Sequence, residues 1–362
     1  MCRIDDVTPD CLRTLYGTID YHPQVPERNQ LGLLSFDCEV NRRSDTKAYL
    51  EKYRPEAVSA ADDLQVVSIN GCPGDKSFLN PGDDNSEAAL DVETLIGVGW
   101  PIPLVVWSAG ITPHWSPYWE DEPFILWLDY LLQQASIPQV VSISYGGHEF
   151  MISRELSKTI CSKFAQLAAR GTSVFASSGD DGVTGDLGFN SCEAGNNHHW
   201  FVPTFPSTCP YVTSVGGTDG FDHERAVYYA SNAYTSGGGF SDFFSRPWFQ
   251  QEAVASYLDT YGNVSAQHYD SAGRGFPDIA AHAIGFSIAF NGTFELMNGT
   301  SASAPTVAAV FSLLKDAQIA AGQSPPGWLN PWLYGRGRAA FSDVTSGFNH
   351  GCNGPAFYAV KG

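Results

Sequence analysis

The residue pattern predicts an α/β fold: a doubly wound, mostly parallel sheet flanked by helices. Three observations predict it. Short apolar runs of strand length alternate with longer helical patterns. Clusters of Gly, Pro, Asp and Asn mark the changes from one to the other. Neither a repeat nor a linker divides the chain, so one domain over residues 1–362 is expected.

Taken in order, residues 31–36 (Leu-Gly-Leu-Leu-Ser-Phe) read as a first buried strand. Residues 46–53 read as a helix and 64–69 as a second strand, and 70–85, rich in Gly, Pro and Asp, as a loop. Residues 85–96 are a strong helix, with Asn85 or Ser86 as cap and small and apolar residues filling its interior. A strand is expected at 103–107, and a helix at 123–134 with Trp127 and Leu131 on one face. Then come a strand at 139–145 running into Gly146 and Gly147, and a helix at 153–170. The strand at 173–177 ends at Ser178, Gly179, Asp180, Asp181 and Gly182. Ligands of such sheets bind beyond the carboxyl ends of the strands, which is where Asp180 falls. A strand at 211–215 and the Gly-rich run 236–241 follow. Last, a Gly-Thr-Ser loop at 299–301 feeds an apolar helix with Pro305 near its first turn.

Composition narrows the class. The chain has 362 residues, 43% apolar and 16% charged, which is globular. Twenty basic against 39 acidic residues give a net charge of −19, which disfavours nucleic acid as a partner. The same balance fits either work in acid or solubility alone. No stretch reaches a membrane span, the best, 100–111, being broken by Pro101 and Pro103. The start has no signal-peptide core, so a secretory protein would be present here in a mature or cropped form. Eight cysteines and the sequons at Asn263 and Asn291 lean towards secretion. Asn298 also begins a sequon and is expected to be unmodified.

Ser301 stands where a helix end presents free backbone N–H groups, a setting that favours a developing oxyanion. An ordinary Ser/Thr helix cap reads equally well at this point. A nucleophile needs a base. None of the nine histidines lies in the His-Gly-Thr context of subtilisin-type proteases, and His148, His198, His199 and His282 read as surface or loop groups. Carboxylates offer another route. Glu87 and Asp91 stand at i and i+4 on one face of the 85–96 helix, which has no Lys or Arg to pair with them. They read either as a solvated pair or as a buried one sharing a proton. Asp180 reads as a turn residue, as part of a calcium loop with Asp181 and Asp186, or as a functional carboxyl.

Together these residues carry a resemblance. Asn298 through Pro305 (Asn-Gly-Thr-Ser-Ala-Ser-Ala-Pro) resembles the nucleophile motif of the sedolisins, the serine-carboxyl peptidases. Glu87-Ala88-Ala89-Leu90-Asp91 matches their Glu-x-x-Leu-Asp motif, and Ser178-Gly179-Asp180 their oxyanion aspartate. Further signatures occur in order at Ser144-Tyr145-Gly146, Phe205-Pro206, 209–213, 236–241 and 277–281. The opening residues look like the mature start of the fungal tripeptidyl-peptidase branch, and the resemblance spans essentially the whole chain.

The resemblance implies a subtilisin-like fold and an acid-acting peptidase, releasing tripeptides from free N-termini or cutting internally. An inactive relative serving as a secreted binding protein is the alternative from another class. Ser301 would be the nucleophile, Glu87 the base and later acid, Asp91 its orienting partner and Asp180 the oxyanion donor. The chemistry agrees: at about pH 4 a histidine of pKa ~6.5 is protonated, whereas a glutamate of ~4.3 titrates near working pH. Substrate main chain would run along Ser144, Tyr145 and Gly146 and along Ser236, Gly237, Gly238 and Gly239. The resemblance further implies a prodomain in the precursor, peptide or protein substrates, no membrane partner, and an extracellular, lysosomal or vacuolar location. It also implies one calcium ion. Asp343 and Val344 match the first half of that site and Val360 and Gly362 offer carbonyls, but the last aspartate of the pattern is absent, so weak binding is expected. Disulfides Cys2–Cys11 and Cys192–Cys209 are expected by resemblance and proximity, and the sequence alone does not assign partners to Cys38, Cys72, Cys161 and Cys352.

Overall fold

The computed structural model describes residues 2–72, 85–110, 121–184, 193–194, 198–199, 201–229, 234–262, 266–351 and 354–361. Its centre is an eight-stranded sheet. The strands are β1 (Leu31–Ser35), β2 (Gln65–Ile69), β3 (Leu104–Ala109), β4 (Val140–Ile143), β5 (Ser173–Ser177), β6 (Thr213–Asp219), β7 (Arg225–Ala226) and β8 (Ile279–His282). They run in the order β7-β6-β5-β4-β1-β3-β2, with β8 also on β6, and every pairing but β6–β7 is parallel.

The strands are apolar on both faces because helices cover both. Six helices matter here: α1 (Pro9–Leu15), α2 (Arg43–Tyr53), α3 (Ser86–Gly99), α4 (Asp121–Gln133), α5 (Arg154–Ala169) and α6 (Thr300–Ala320). Alternate strand residues point to opposite sides. Leu33, Val106, Val140 and Phe175 share one core with Leu50 of α2, Leu90 of α3 and Ala308 of α6. Leu34, Val105, Val141 and Val174 share the other with Trp127 and Leu131 of α4 and Phe164 of α5. α6 is buried almost all round, so it runs through the core rather than over its surface. β1 lies between β3 and β4, and the chain turns from one half of the sheet to the other there, which opens a crevice at the carboxyl ends.

Several expectations need correction. The Gly-Thr-Ser run is not a loop ahead of a helix: α6 starts at Thr300, Gly299 is its cap residue, and Pro305 lies inside the helix. Cys209 bonds to Cys161, not Cys192. Cys161 is buried on the inner face of α5 in the same core as Cys209, while Cys192 falls outside the described residues, as does Cys352. Cys2–Cys11 forms as expected and Cys38 pairs with Cys72. His148 and His282 are buried, not surface groups. The His282 ring lies 4.6 Å from the Phe221 ring, with Nε2 2.8 Å from the Ile284 carbonyl. Asn291 of the second sequon sits exposed in the turn of a hairpin between Phe286–Phe290 and Thr293–Met297. The Asn298 side chain instead accepts from the Gly285 N–H, at 2.7 Å. The Asn263 sequon lies outside the described residues.

Candidate active site

α3 carries the carboxyl pair. The cap hydrogen bond to its first turn comes from another segment: the Ala88 N–H donates to Glu39 Oε2 at 3.3 Å. Glu39 follows β1, so the sheet's central strand delivers a third carboxylate to this helix end, where the helix dipole favours it. One turn further, Asp91 is fully buried, while Glu87 is half-buried. Asp91 Oδ1 accepts a 2.5 Å hydrogen bond from Ser144 Oγ, and Ser144 comes off the carboxyl end of β4. Burial, and then the neighbouring Glu87, push the Asp91 carboxyl well above the ordinary carboxylate range; the Ser144 hydroxyl acts the other way. A carboxyl in this setting keeps its proton where a surface aspartate would lose it.

Ser301 is the second residue of α6, at the mouth of the crevice, and is nearly buried. Its Oγ donates to the Ser144 carbonyl at 3.4 Å. Asp180, after β5, supplies what the helix start needs. Its Oδ1 accepts from the Thr300 N–H and from Thr300 Oγ1, each at 2.7 Å. Thr300 Oγ1 in turn accepts from the Gly179 N–H at 3.1 Å. Gly299 is required here twice over. Its φ of +154° suits glycine, and a Cβ would come within 2.9 Å of Asp180 Oδ2. The remaining Asp180 oxygen therefore lies against bare backbone beside the nucleophile.

The two glycine-containing segments differ in their setting. Gly146 is exposed beside Phe205, and a Cβ on it would meet the Phe205 carbonyl at 2.8 Å. Ser236, Gly237 and Gly238 are buried. The Gly237 N–H donates to the Gly179 carbonyl at 2.6 Å, and the Gly237 carbonyl accepts from Ser178 Oγ at 2.8 Å. The Gly238 carbonyl accepts from Asn349 Nδ2 at 3.1 Å. The run ending at Gly239 thus buttresses the Asp180 loop. Only glycine fits at 237, because a Cβ would lie 2.2 Å from the Ser178 carbonyl.

Asp343, Val344 and Val360 line one large cavity beside α6, about 2020 Å³ in volume, whose lining also includes Ser236, Gly237, Gly238 and Gly239. Gly362 lies outside the described residues, as does Asp186, the third member of the alternative Asp180 calcium loop. Asp343 and the carbonyls of Val344 and Val360 could supply three of the six or more oxygens calcium takes. Among the described residues no three acidic, His or Cys side chains gather to hold a metal ion. In keeping with the weak binding expected from the sequence, calcium or EDTA should leave the Tm of this chain within about 1 °C by differential scanning calorimetry. A rise of several degrees with calcium would reveal a complete site.

The family model described as the subtilase family (Peptidase_S8) matches residues 129–324. The chain belongs to the subtilase family. The matched stretch holds Ser144, Asp180 and Ser301 of this subtilase but not Glu87 and Asp91, so the acid pair lies outside what the family model describes. Tripeptidyl-peptidase sed4 of Aspergillus fumigatus is 34% identical over 365 residues, covering 96% of this chain and 59% of its own length. A probable tripeptidyl-peptidase, SED3, of Arthroderma benhamiae is 37% identical over 360 residues, covering 96% and 58%. The chain thus spans about three-fifths of the length of the curated relatives it matches. Pseudomonas sedolisin, a serine-carboxyl proteinase complexed with pseudo-iodotyrostatin, superposes with a TM-score of 0.71 at 20% identity, covering 98% of this chain and 92% of its own. The doubly wound, subtilisin-like fold and the sedolisin resemblance expected from the motifs are borne out.

Glu39 is the site residue that sequence reasoning missed. It lies far from Glu87 in the chain and belongs to no motif. The one signal was its place just beyond the first buried strand.

Proposed function

We propose that this subtilase is a serine-carboxyl peptidase working in acid, and that it releases tripeptides from free N-termini. The observation that carries the reading is the convergence on Ser301 of carboxyls from separate elements. Asp91 of α3 reaches it through Ser144, and Asp180 of the β5 loop caps the helix on which it stands. In the mechanism, Glu87 takes the Ser301 hydroxyl proton as Oγ bonds to the scissile carbonyl carbon. Asp91, still protonated, steadies the charge on Glu87 through a shared proton. Asp180 in its protonated form donates to the oxyanion, the role the α6 N-terminus also favours. Collapse breaks the C–N bond, Glu87 returns the proton to the leaving amine, and a water molecule repeats the sequence on the acyl-enzyme.

Substrate main chain runs along Ser144, Tyr145 and Gly146, where exposed Gly146 permits close approach. It also runs along Ser236, Gly237, Gly238 and Gly239, a segment that at the same time holds the Asp180 loop through Gly237. Peptides and proteins are the substrates, and a prodomain is the partner in a longer precursor. No helix among the described residues is long and apolar enough to cross a membrane. The setting is extracellular, as the disulfides Cys2–Cys11, Cys38–Cys72 and Cys161–Cys209 favour, with lysosome or vacuole as the alternative.

The deciding assay compares an N-terminally free peptide with its N-blocked twin at about pH 4. Cleavage of the free peptide alone, with tripeptide products, is expected. Cleavage of both would make the chain an endopeptidase, and cleavage of neither would leave an inactive relative with a binding role.

A further inference from the structure

The Ser144 side chain does something its backbone cannot. Its carbonyl accepts from the nucleophile, so a substrate-binding role of the backbone would be the same with any side chain. Yet Oγ is turned inward, 2.5 Å from Asp91 Oδ1 and 3.4 Å from the Ser301 carbonyl. That carbonyl is special. In a regular helix it would accept from the N–H of the residue four places on. Here that residue is Pro305, which has no N–H, so the first turn of α6 lacks the bond that would anchor the nucleophile's own peptide. The proline and the serine are complementary: one leaves an acceptor open and the other points a hydroxyl at it.

Resting on the peptidase reading above, we propose that the Ser144 hydroxyl is a positioning group that couples the Glu87–Asp91 pair to the nucleophile turn. It fixes Asp91 by Oδ1. Oδ2 is buried and without a hydrogen-bond partner among the described residues. The hydroxyl has one proton and two acceptors, so its direction follows the state of Asp91. When Asp91 is ionised, Ser144 donates to it. When Asp91 carries its proton on Oδ1, it can donate to Ser144 Oγ, and the Ser144 proton turns to the Ser301 carbonyl. The nucleophile's backbone thereby senses whether the acid pair is loaded.

The groups around Asp91 are Glu87 on its own helix, Glu39 after β1, and Tyr145 beside Ser144, whose hydroxyl is held protonated by burial and by Glu39 and Glu87. None of these is a cation. Ser144 is thus the donor that favours ionised Asp91, and its loss raises the pKa of the pair. Ser144→Ala is expected to lower kcat about 10-fold or more, with KM within about twofold. It should also move the alkaline limb of the pH–rate profile to higher pH by about half a unit or more. Ser144→Thr, which keeps a hydroxyl, should return the limb towards wild type. Ser144→Gly removes the same hydroxyl and carries the same expectations should the alanine form fail to fold. An active wild type whose Ser144→Ala or Ser144→Gly form keeps kcat and the limb unchanged overturns this coupling alone. Wild-type protein with no turnover in acid overturns the peptidase reading and the coupling with it.

Discussion

Ser301→Ala is expected to lower kcat for tripeptide release by at least about 10⁴-fold while leaving Tm within about 2 °C. The two halves of this result separate the readings of the Gly-Thr-Ser run. Were Ser301 an ordinary helix cap, its truncation would cost about 1 kcal/mol of stability and leave turnover alone. The geometry argues otherwise, because the first N–H of α6, that of Thr300, is already satisfied by the Asp180 carboxylate. The Ser301 hydroxyl contributes one 3.4 Å contact to the Ser144 carbonyl. A bond of that length on a nearly buried side chain stabilises the fold little, so its removal should be read in the rate. Melting curves and single-turnover kinetics on the same preparation measure both. Retained turnover would take the nucleophile's role away from Ser301.

The sheet was legible because parallel strands buried on both faces read as near-continuous apolar runs, as the wholly buried Leu31–Ser35 and Leu104–Ala109 do. Spacing likewise put Glu87 and Asp91 on one helical face, but spacing cannot say what lies opposite that face. Ser144 and Glu39, which complete the surroundings of the pair, come from the ends of two neighbouring strands that only the folded sheet brings together. The Cys209 pairing failed for the same reason. Its partner is set by how α5 packs, not by distance along the chain. One local signal was present and unused. Asn291-Gly292 is the dipeptide of a two-residue hairpin turn, and both residues take the positive φ that such a turn needs, +49° and +77°. The buried state of His282 had no sequence signal, since a lone histidine in an apolar strand looks alike inside and outside.

Both activity and stability are expected to decline as pH rises from about 4 to about 7.5. Burial holds the carboxyls of Asp91, Glu93, Glu149 and Glu224 above the ordinary range, with Glu87 adding to the effect at Asp91. A carboxyl that ionises less readily in the fold than in the unfolded chain leaves the folded state holding more protons. Stability is then greatest below the unfolded pKa of ~4 and falls as pH rises towards the folded value. His282 and His350, whose pKa values burial lowers, pull the opposite way below about pH 6.5, but the raised carboxyls outnumber them. Lys315, pushed down to about 7 by burial, acts only at higher pH. Tm should therefore be several degrees higher at the acid end. In Asp91→Asn the Ser144 hydroxyl keeps an acceptor while the ionisation is gone, so the pH slope of Tm should flatten. Turnover in acid should drop by about 10²-fold or more, because Glu87 loses the partner with which it shares a proton. Equal activity of the wild type at both pH values would sink the mechanism, because Asp180 and Asp91 must hold protons for it to run.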